Sequence, residues 1–442
     1  MNRREFLKIG ALAAAGAPLG TKAWDKPMPF LDPSEDWMTQ DWEDAYVWKD
    51  FIFVKPSVQP IGDGQVALQW VTREMATSWA EVSQDGGRTW TRIWGERDGI
   101  RDVFTRRHLA VVENYDLTRA LKYRVVARPI SEASQWGNVR YAGENLAPGS
   151  LQGYYIKAKE YKELVRRRKE SGYEGETYTA EGEIAAIDPK SFDVAMVNDV
   201  HHNIPFYPDF AKLMSDKTAL AVFAGDICDH ARSPDDFDKH LMAPMAYLSM
   251  HRHCLVKYVR GNHETMGPYA RNVRDHIALE NDAFYGAMTI GETRLVFLDT
   301  GNVGADDEFS WTQFYYGMDH YFRKEIAWLR DETASSAWKG ARYRIAFAHI
   351  PPERQTRVNW LYDVLNGANL SLLMAGHEHY AHFEPSRGGT PYPLVIGGGP
   401  TRDHGKRGEP IATVSTLSVR PEGLSVVQTG IDGKEIFREK IG

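Results

Sequence analysis

From residue 191 onward the chain repeats one device, a short apolar run that stops at a glycine or a polar cluster. The runs read "FDVAMVNDVHHN", "ALAVFAGDICDH", "CLVKYVRGNHE", "TRLVFLDTGN", "YRIAFAHIPP", "LSLLMAGHEH" and "YPLVIGGGP". Apolar runs of this length, bounded by turn-forming residues, fit strands buried on both faces rather than strands with one wet face. Helix-favouring stretches such as Asp319 to Glu332 lie between some of them. The pattern predicts a mixed α/β region of βαβ type, because a sheet buried on both sides needs helices to cover it.

Five of those runs end on residues that bind hard or borderline metals: Asp199 and His201, Asp226, Asn262 and His263, His349, then His377 and His379. One His-x-His pair is equally well explained by two solvated loop histidines; five strand ends of ligand type are not expected by chance. Of the fifteen histidines, all but His108 fall between residues 201 and 404. In open α/β sheets the loops leaving the carboxyl ends of strands converge, and ligands bind there. A set of imidazole, carboxylate and amide oxygen suits Mn, Fe or Zn, and the lack of cysteine ligands argues against a closed structural zinc site.

In order and placement, "DVH", "GDICD", "GNHE", "AHIPP" and "GHEH" resemble the five-block signature of the calcineurin-like metallophosphoesterases, over about residues 191 to 405. The resemblance implies a four-layer αββα sandwich, an α+β arrangement, around two transition metal ions, divalent or mixed-valence. By that resemblance Asp199, His201 and His379 hold one ion, Asn262, His349 and His377 hold the other, and Asp226 bridges them. It further implies attack of a metal-bridging hydroxide on phosphorus, with His263 helping to protonate the leaving oxygen and with Asn262 and His263 touching the substrate. Purple acid phosphatases carry a tyrosine three residues after the bridging aspartate, and here that position is Asp229. With His201 added in the first block, the chain sits nearer the D-x-H phosphoesterases, and a purple Fe(III) centre is not expected.

Upstream, "QVALQWVT" (65–72) and "LKYRVVARPI" (121–130) alternate as half-buried strands do, and "SQDGGRTW" (83–90) places Asp-Gly-Gly between strand-like flanks, a hairpin signal. That octet also resembles the Asp-box turn of sialidases, and a single copy reads as structural. Residues 51–130 are therefore expected to form a small all-β sandwich. It resembles the fibronectin type III-like domain that precedes the catalytic domain in purple acid phosphatases. Residues 131–190, with the charged "YYIKAKEYKELVRRRKESG", read as a connector containing a helix, and residues 191–442 as the catalytic domain with C-terminal strands.

The first 23 residues, with Arg3-Arg4, Phe-Leu-Lys, an apolar stretch from Ile9 to Ala17 and a small residue at Ala23, resemble a twin-arginine signal peptide. The apolar stretch is too short for a bilayer core of about 30 Å. The resemblance implies export in the folded state by the twin-arginine machinery to the periplasm or cell exterior. Residues 24–50 then form an N-terminal extension. No other run reaches spanning length, so no membrane span is expected in the mature protein.

A net charge of −7 and a pI near 6.1 offer no basic field for non-specific nucleic acid binding, which leaves a small phosphorylated substrate as the expected partner. Cys228 follows one strand and Cys254 opens another. If those strands run parallel, the sulfurs lie at opposite edges, beyond the roughly 7 Å Cα limit for a disulfide, and both are buried thiols. "LDTG" (298–301) resembles an aspartic-protease triplet, but no second triplet exists to share a proton with it, so it reads as structural. His202, His230 and His382 adjoin the motifs as supporting or solvated groups. Arg260, Arg354 and Arg402 lie near strand ends without an assigned role. The expected activity is hydrolysis of phosphate esters, with monoesters favoured. A diesterase or nucleotide hydrolase would share the same core, and an intact seven-residue ligand set argues against a decayed, non-catalytic surface protein.

Overall fold

A computed structural model describes residues 50–441, apart from 98, 134–138, 145–165, 167–174, 203, 303–316, 353–357, 388 and 401–410. The expected signal peptide, nearly all of the extension, and Arg354 and Arg402 lie outside the described residues. So does the expected connector helix, apart from Arg166.

The upstream region is all β: β1 (Val54–Pro60), β2 (Val66–Ser83), β3 (Thr91–Ile93), a small ribbon of β4 (Glu96–Arg97) and β5 (Ile100–Arg101), β6 (Thr105–Val112), β7 (Leu121–Ala133), β8 (Val139–Tyr141) and β9 (Tyr178–Ile184). The long β2 serves two sets of neighbours. Its first part, Val66 to Val71, pairs antiparallel with β1 and β6, and its second part, Ala76 to Ser83, pairs with β7 and, near its end, β3. Exposed Arg73, Glu74 and Met75 separate the two. At its centre Trp70 is fully buried and satisfies its indole N–H on Ser78 Oγ at 2.9 Å, and Ser78 in turn donates to the Val126 carbonyl at 2.8 Å.

"SQDGGRTW" turns the chain from β2 into β3. Asp85 Oδ1 accepts from the backbone N–H groups of Arg88 and Thr89, both at 2.9 Å, while Gly86 and Gly87 take φ of 78° and 92° that a side chain would resist. The β region also runs past residue 130. β9 lies in the stretch expected to be connector, yet it pairs with β7 from Leu121↔Ile184 to Ala127↔Tyr178 and so covers what would be an open edge.

The catalytic region holds two six-stranded sheets among the described residues. The first has the order β12 (Leu255–Val259), β11 (Thr218–Ala224), β10 (Phe192–Val197), β19 (Thr413–Arg420), β20 (Gly423–Gly430) and β21 (Glu435–Ile441). The second has β13 (Gly286–Ile290), β14 (Thr293–Phe297), β15 (Tyr343–Phe347), β16 (Leu372–Ala375), β18 (Leu394–Ile396) and β17 (His382–Glu384). The runs that carry the motifs pair in parallel, β10 with β11 with β12, and β14 with β15 with β16 with β18.

Parallel strands need crossovers, and helices supply them. On the first sheet lie α1 (Tyr207–Leu213), α2 (Pro234–Phe237) and α3 (Ala243–Arg252), with Tyr207 stacked 5.9 Å from Phe223 of β11. On the second lie α4 (Met318–Ala334), α5 (Ser336–Gly340) and α6 (Asn359–Asn366). α4 turns Met318, Phe322 and Leu329 inward at helical spacing, onto Val296, Leu298 and Ala346. Between the sheets, Val194, Met196, Leu220 and Val222 pack on Leu295, Phe297, Ile345 and Met374. The layers are helix, sheet, sheet, helix, the αββα order expected. The strands read as unbroken apolar runs because both of their faces are covered.

The all-β region packs directly on the catalytic one. Phe53, Val54 and Val71 form a cluster with Met242, Ala243 and Ala246, and buried Lys257 on β12 donates to the Pro60 carbonyl at 3.0 Å. Cys228, beyond the end of β11, and Cys254, just before β12, are both free and buried, and the two strands run parallel, the condition on which the sequence argument rests. Burial pushes the Cys254 thiol up to about 12 and raises that of Cys228 as well. Neither thiol is expected to react with Ellman's reagent in the native protein, and both should react on unfolding in guanidinium. A native-state equivalent titrating within minutes would contradict this packing.

Candidate metal centre

The ligand-type residues sit where the parallel strands end, and the backbone there is unusual. Asp199, His201, Asp226, His377 and His379 all have positive φ, between 46° and 73°, a region that non-glycine residues rarely occupy. Each of these turns bends the chain sharply just past a strand and aims a side chain back over the sheet ends. Such local strain persists only where the surroundings over-determine it. Here the surroundings are main-chain bonds between neighbouring loops: Asp199 N–H to Gly225 O at 3.0 Å, His201 N–H to Asp226 O at 2.9 Å and Gly376 N–H to His349 O at 3.0 Å. Gly225 is required by close approach as well as by its φ of 82°, since a Cβ there would lie 2.5 Å from the His349 ring and 2.7 Å from Gly261 Cα.

All seven expected ligands and His263 meet at these ends. Asp199, His201 and His379 bring ligand atoms within 4.8 Å of one another, as do Asp226, His349 and His377, and also His201, Asp226 and His263. Asn262 joins the second set through Oδ1, 3.1 Å from His349 Nε2. Asp226 lies between the sets: its Oδ2 is 3.1 Å from His349 Nε2 and 3.9 Å from His201 Nε2. Its other oxygen, Oδ1, accepts the His263 backbone N–H at 2.9 Å.

These contacts fit cations. His349 Nδ1 faces the Ala224 carbonyl at 2.8 Å and must donate to it, which leaves Nε2 with a lone pair pointing at a carboxylate oxygen and an amide oxygen. His201 Nδ1 likewise points at Asp229 Oδ1 at 2.6 Å, so its Nε2 turns a lone pair toward His379 Nε2, 3.1 Å away. Buried Asp199 Oδ1 has no aligned hydrogen-bond partner, although His379 Nε2 is 3.3 Å away. Acceptors face acceptors, and only a proton or a metal ion between them removes the conflict. The charges say the same. Burial opposes ionisation, yet Asp226 and Asp199 hold His349 up to about 10, and Asp229 and Asp226 hold His263 up to about 9. The carboxyls of Asp226 and Asp229, despite their burial, are held well below the usual range by the histidines around them.

Two residues that bear on the site escape the sequence argument. Asp229 registers there only as the position without a tyrosine. In the structure its Oδ1 is 2.6 Å from His201 Nδ1 and 2.6 Å from His263 Nδ1, the second contact lying off the line of a hydrogen bond. One carboxylate thus orients a ligand-type histidine and the proposed proton donor. Glu264, the last residue of "GNHE", is fully buried and accepts from the backbone N–H groups of Gly261, Asp226, Ile227 and Cys228, at 2.6 to 3.0 Å. A local signal exists for Asp229, since an acidic residue three past the shared aspartate can reach over it. For Glu264 there is none, because its partners are main-chain atoms.

The neighbouring candidates take supporting places. His202 Nε2 accepts the Asp229 N–H at 3.0 Å, His230 stacks on His263 at 4.8 Å with an 8° tilt, and His382 lies 3.0 Å from Glu384. Arg387 pairs with Glu384 and with Glu378, the residue between His377 and His379, and so braces that turn. Arg260 is committed to buried Asp299 of "LDTG" at 2.6 Å, which agrees with a structural role for that triplet.

A profile of the calcineurin-like phosphoesterase family matches residues 192–381. That stretch, which spans the strands and turns just described, is a calcineurin-like phosphoesterase domain, and the chain is a metal-dependent phosphoester hydrolase. No curated protein matches the chain in sequence. In fold it is similar to a purple acid phosphatase isolated from yellow lupin (Lupinus luteus) seeds, with TM-score 0.56 and 10% identity over 87% of this chain and 73% of that one. It is also similar to PhoD, with TM-score 0.51 and 9% identity over 88% of this chain and 93% of that one.

Substitution Asp229→Asn should keep the fold and lower kcat/KM roughly 10- to 100-fold, the usual cost of losing a carboxylate behind a ligand or acid-base histidine. Steady-state kinetics on a chromogenic phosphate ester checks it. An unchanged value would show that His201 and His263 are held without Asp229.

Proposed function

We propose that the protein is an exported phosphomonoesterase with two transition metal ions, Mn, Fe or Zn, in divalent or mixed-valence form. The observation that carries the reading is the Asp226 carboxylate, whose Oδ2 lies 3.9 Å from His201 Nε2 and 3.1 Å from His349 Nε2, so that it belongs to both groups of ligand-type residues. Asp199, His201 and His379 would hold one ion, Asn262, His349 and His377 the other, and Asp226 both. When bound, the ions supply charge that activates water and neutralises phosphoryl oxygens.

The chain's own residues do the rest. Asp226 Oδ1 fixes the His263 backbone, and Asp229 beside Nδ1 turns the ring so that Nε2 holds a proton for the departing oxygen. The His263 side chain is 27% exposed, enough to meet a substrate at the mouth of the site. Asn262 and His263 can both donate to phosphoryl oxygens. The all-β region is read as fibronectin type III-like, and Arg3-Arg4 as the mark of twin-arginine export to the periplasm or cell exterior.

The chemical test compares leaving groups. With His263→Ala, metal content should stay at wild-type level while turnover falls roughly 10²- to 10⁴-fold on an alkyl phosphate, which leaves as a basic alkoxide. The loss should be much smaller on p-nitrophenyl phosphate, whose leaving oxygen scarcely needs a proton. Equal losses on both would remove His263 from the role of acid. Faster cleavage of bis(p-nitrophenyl) phosphate than of the monoester would make the enzyme a diesterase instead.

Export is checked separately. The double substitution Arg3→Lys with Arg4→Lys should leave the precursor in the cytoplasm with its signal uncleaved, as read by fractionation and immunoblotting. Wild-type recovery from the periplasm would end the export reading.

A further inference from the structure

The segments that form one wall of the site are tied to the all-β region by a buried ion pair. Arg107 on β6 reaches Asp238, which follows α2 and is fully buried. Its Nε lies 2.8 Å from Oδ1 and its Nη2 2.6 Å from Oδ2, a bidentate grip on the carboxylate. His276, itself 1% exposed, brings Nδ1 to 2.9 Å from the same Oδ1. Asp238 ends the segment that begins with Asp226 and Asp229, and His276 ends the one that begins with Asn262 and His263.

Those two segments touch along their length. Tyr269 N–H donates to the Ala231 carbonyl at 3.2 Å, and a Cβ on Gly267 would lie 2.7 Å from that same oxygen. The rings of Phe237 and His276 are 5.0 Å apart. Between Asp229 and Asp238 the chain is stiffened by a capping box, in which Ser233 Oγ accepts the Asp236 N–H and Asp236 accepts the Ser233 N–H. A displacement of Asp238 therefore has little slack in which to die out before it reaches Asp229.

We propose that Arg107 is a positioning residue for the hydrolase. By gripping Asp238 together with His276, it holds the Asp226-to-Asp238 and Asn262-to-His276 segments in the register that keeps Asp229 against His263. The all-β region is then part of the catalytic frame. Without the guanidinium, Asp238 is a buried charge short of its partner and is drawn toward water. That movement repacks the His276 side of the junction. The inference rests on the reading of His263 as proton donor to the leaving oxygen.

The test uses the full-length, metal-loaded protein with Arg107→Ala, Arg107→Lys and His276→Gln, measuring metal per chain, melting temperature, and kcat and KM on p-nitrophenyl phosphate and an alkyl phosphate. The expected result is wild-type metal content, with kcat on the alkyl ester reduced about 10-fold or more in Arg107→Ala, a smaller loss on the p-nitrophenyl ester, and partial recovery in Arg107→Lys. Should Arg107→Ala fail to fold, Arg107→Lys and His276→Gln carry the same comparison. Wild-type kcat on both esters with only a lower melting temperature would overturn the proposal, and so would equal losses accompanied by loss of metal. Failure of the underlying reading is distinguishable: His263→Ala would then lose activity equally on both esters, whereas failure of this inference alone would leave His263→Ala selective for the alkyl ester and Arg107→Ala without that selectivity.

Discussion

The Glu264 carboxylate holds the site together. It sits inside the turn after β12 and collects four backbone N–H groups, one from Gly261 in its own turn and three from Asp226, Ile227 and Cys228 in the turn after β11. Burial and the neighbouring Asp226 push its carboxyl upward. Four donors nevertheless leave a protonated carboxyl no acceptor to bond, so the ionised form is the one this geometry accommodates. Two loops with no sequence connection are thereby fixed to one anion. Asp226 belongs to one of these turns, and Asn262 and His263 to the other. Their mutual placement follows from a fully buried residue whose carboxylate binds main-chain groups.

The same economy explains the glycines and the left-handed residues. A Cβ on Gly261 would lie 2.2 Å from the Asp226 nitrogen that Glu264 binds, so the turn can close on its neighbour only with a hydrogen at that position. Once the loops are this close, the next residues must turn back within a single step, and Asp226 and Asp199 do so with φ of 52° and 51°. Favourable main-chain bonding and unfavourable backbone angles are two sides of one arrangement, in which strand ends are brought closer than ordinary loops would come.

What was legible in the sequence and what was not divide along this line. Ligand-type side chains at strand ends are visible because the apolar run, the glycine and the polar residue follow one another in the chain. Layer order follows from runs too apolar to have a wet face. Glu264 could not be assigned a task, because its partners are main-chain atoms and carry no residue type. The Arg107, Asp238 and His276 junction was invisible for another reason: its members come from three separate stretches, and nothing local to any of them signals the others. Residues 131–190 read as connector on the charged, helix-favouring stretch at 154–172, and β9 follows a few residues beyond it. Only the open edge of β7 makes it a strand.

A centre in which His201 Nε2 faces His379 Nε2, and His349 Nε2 faces both Asp226 and Asn262 Oδ1, cannot be assembled by attraction among its own side chains. With neither a proton nor a cation between them, these lone pairs repel. Their positions must therefore be imposed from outside, and the structure shows by what: main-chain bonds from strand end to strand end, the Glu264 anion beneath Asp226, the Ala224 carbonyl behind His349 and the Asp229 carboxylate behind His201. Each of these fixes a ligand-type residue by an atom that is not the one presented to the centre. The donors are thus pre-organised for positive charge, and a cation entering the centre meets little reorganisation of the protein.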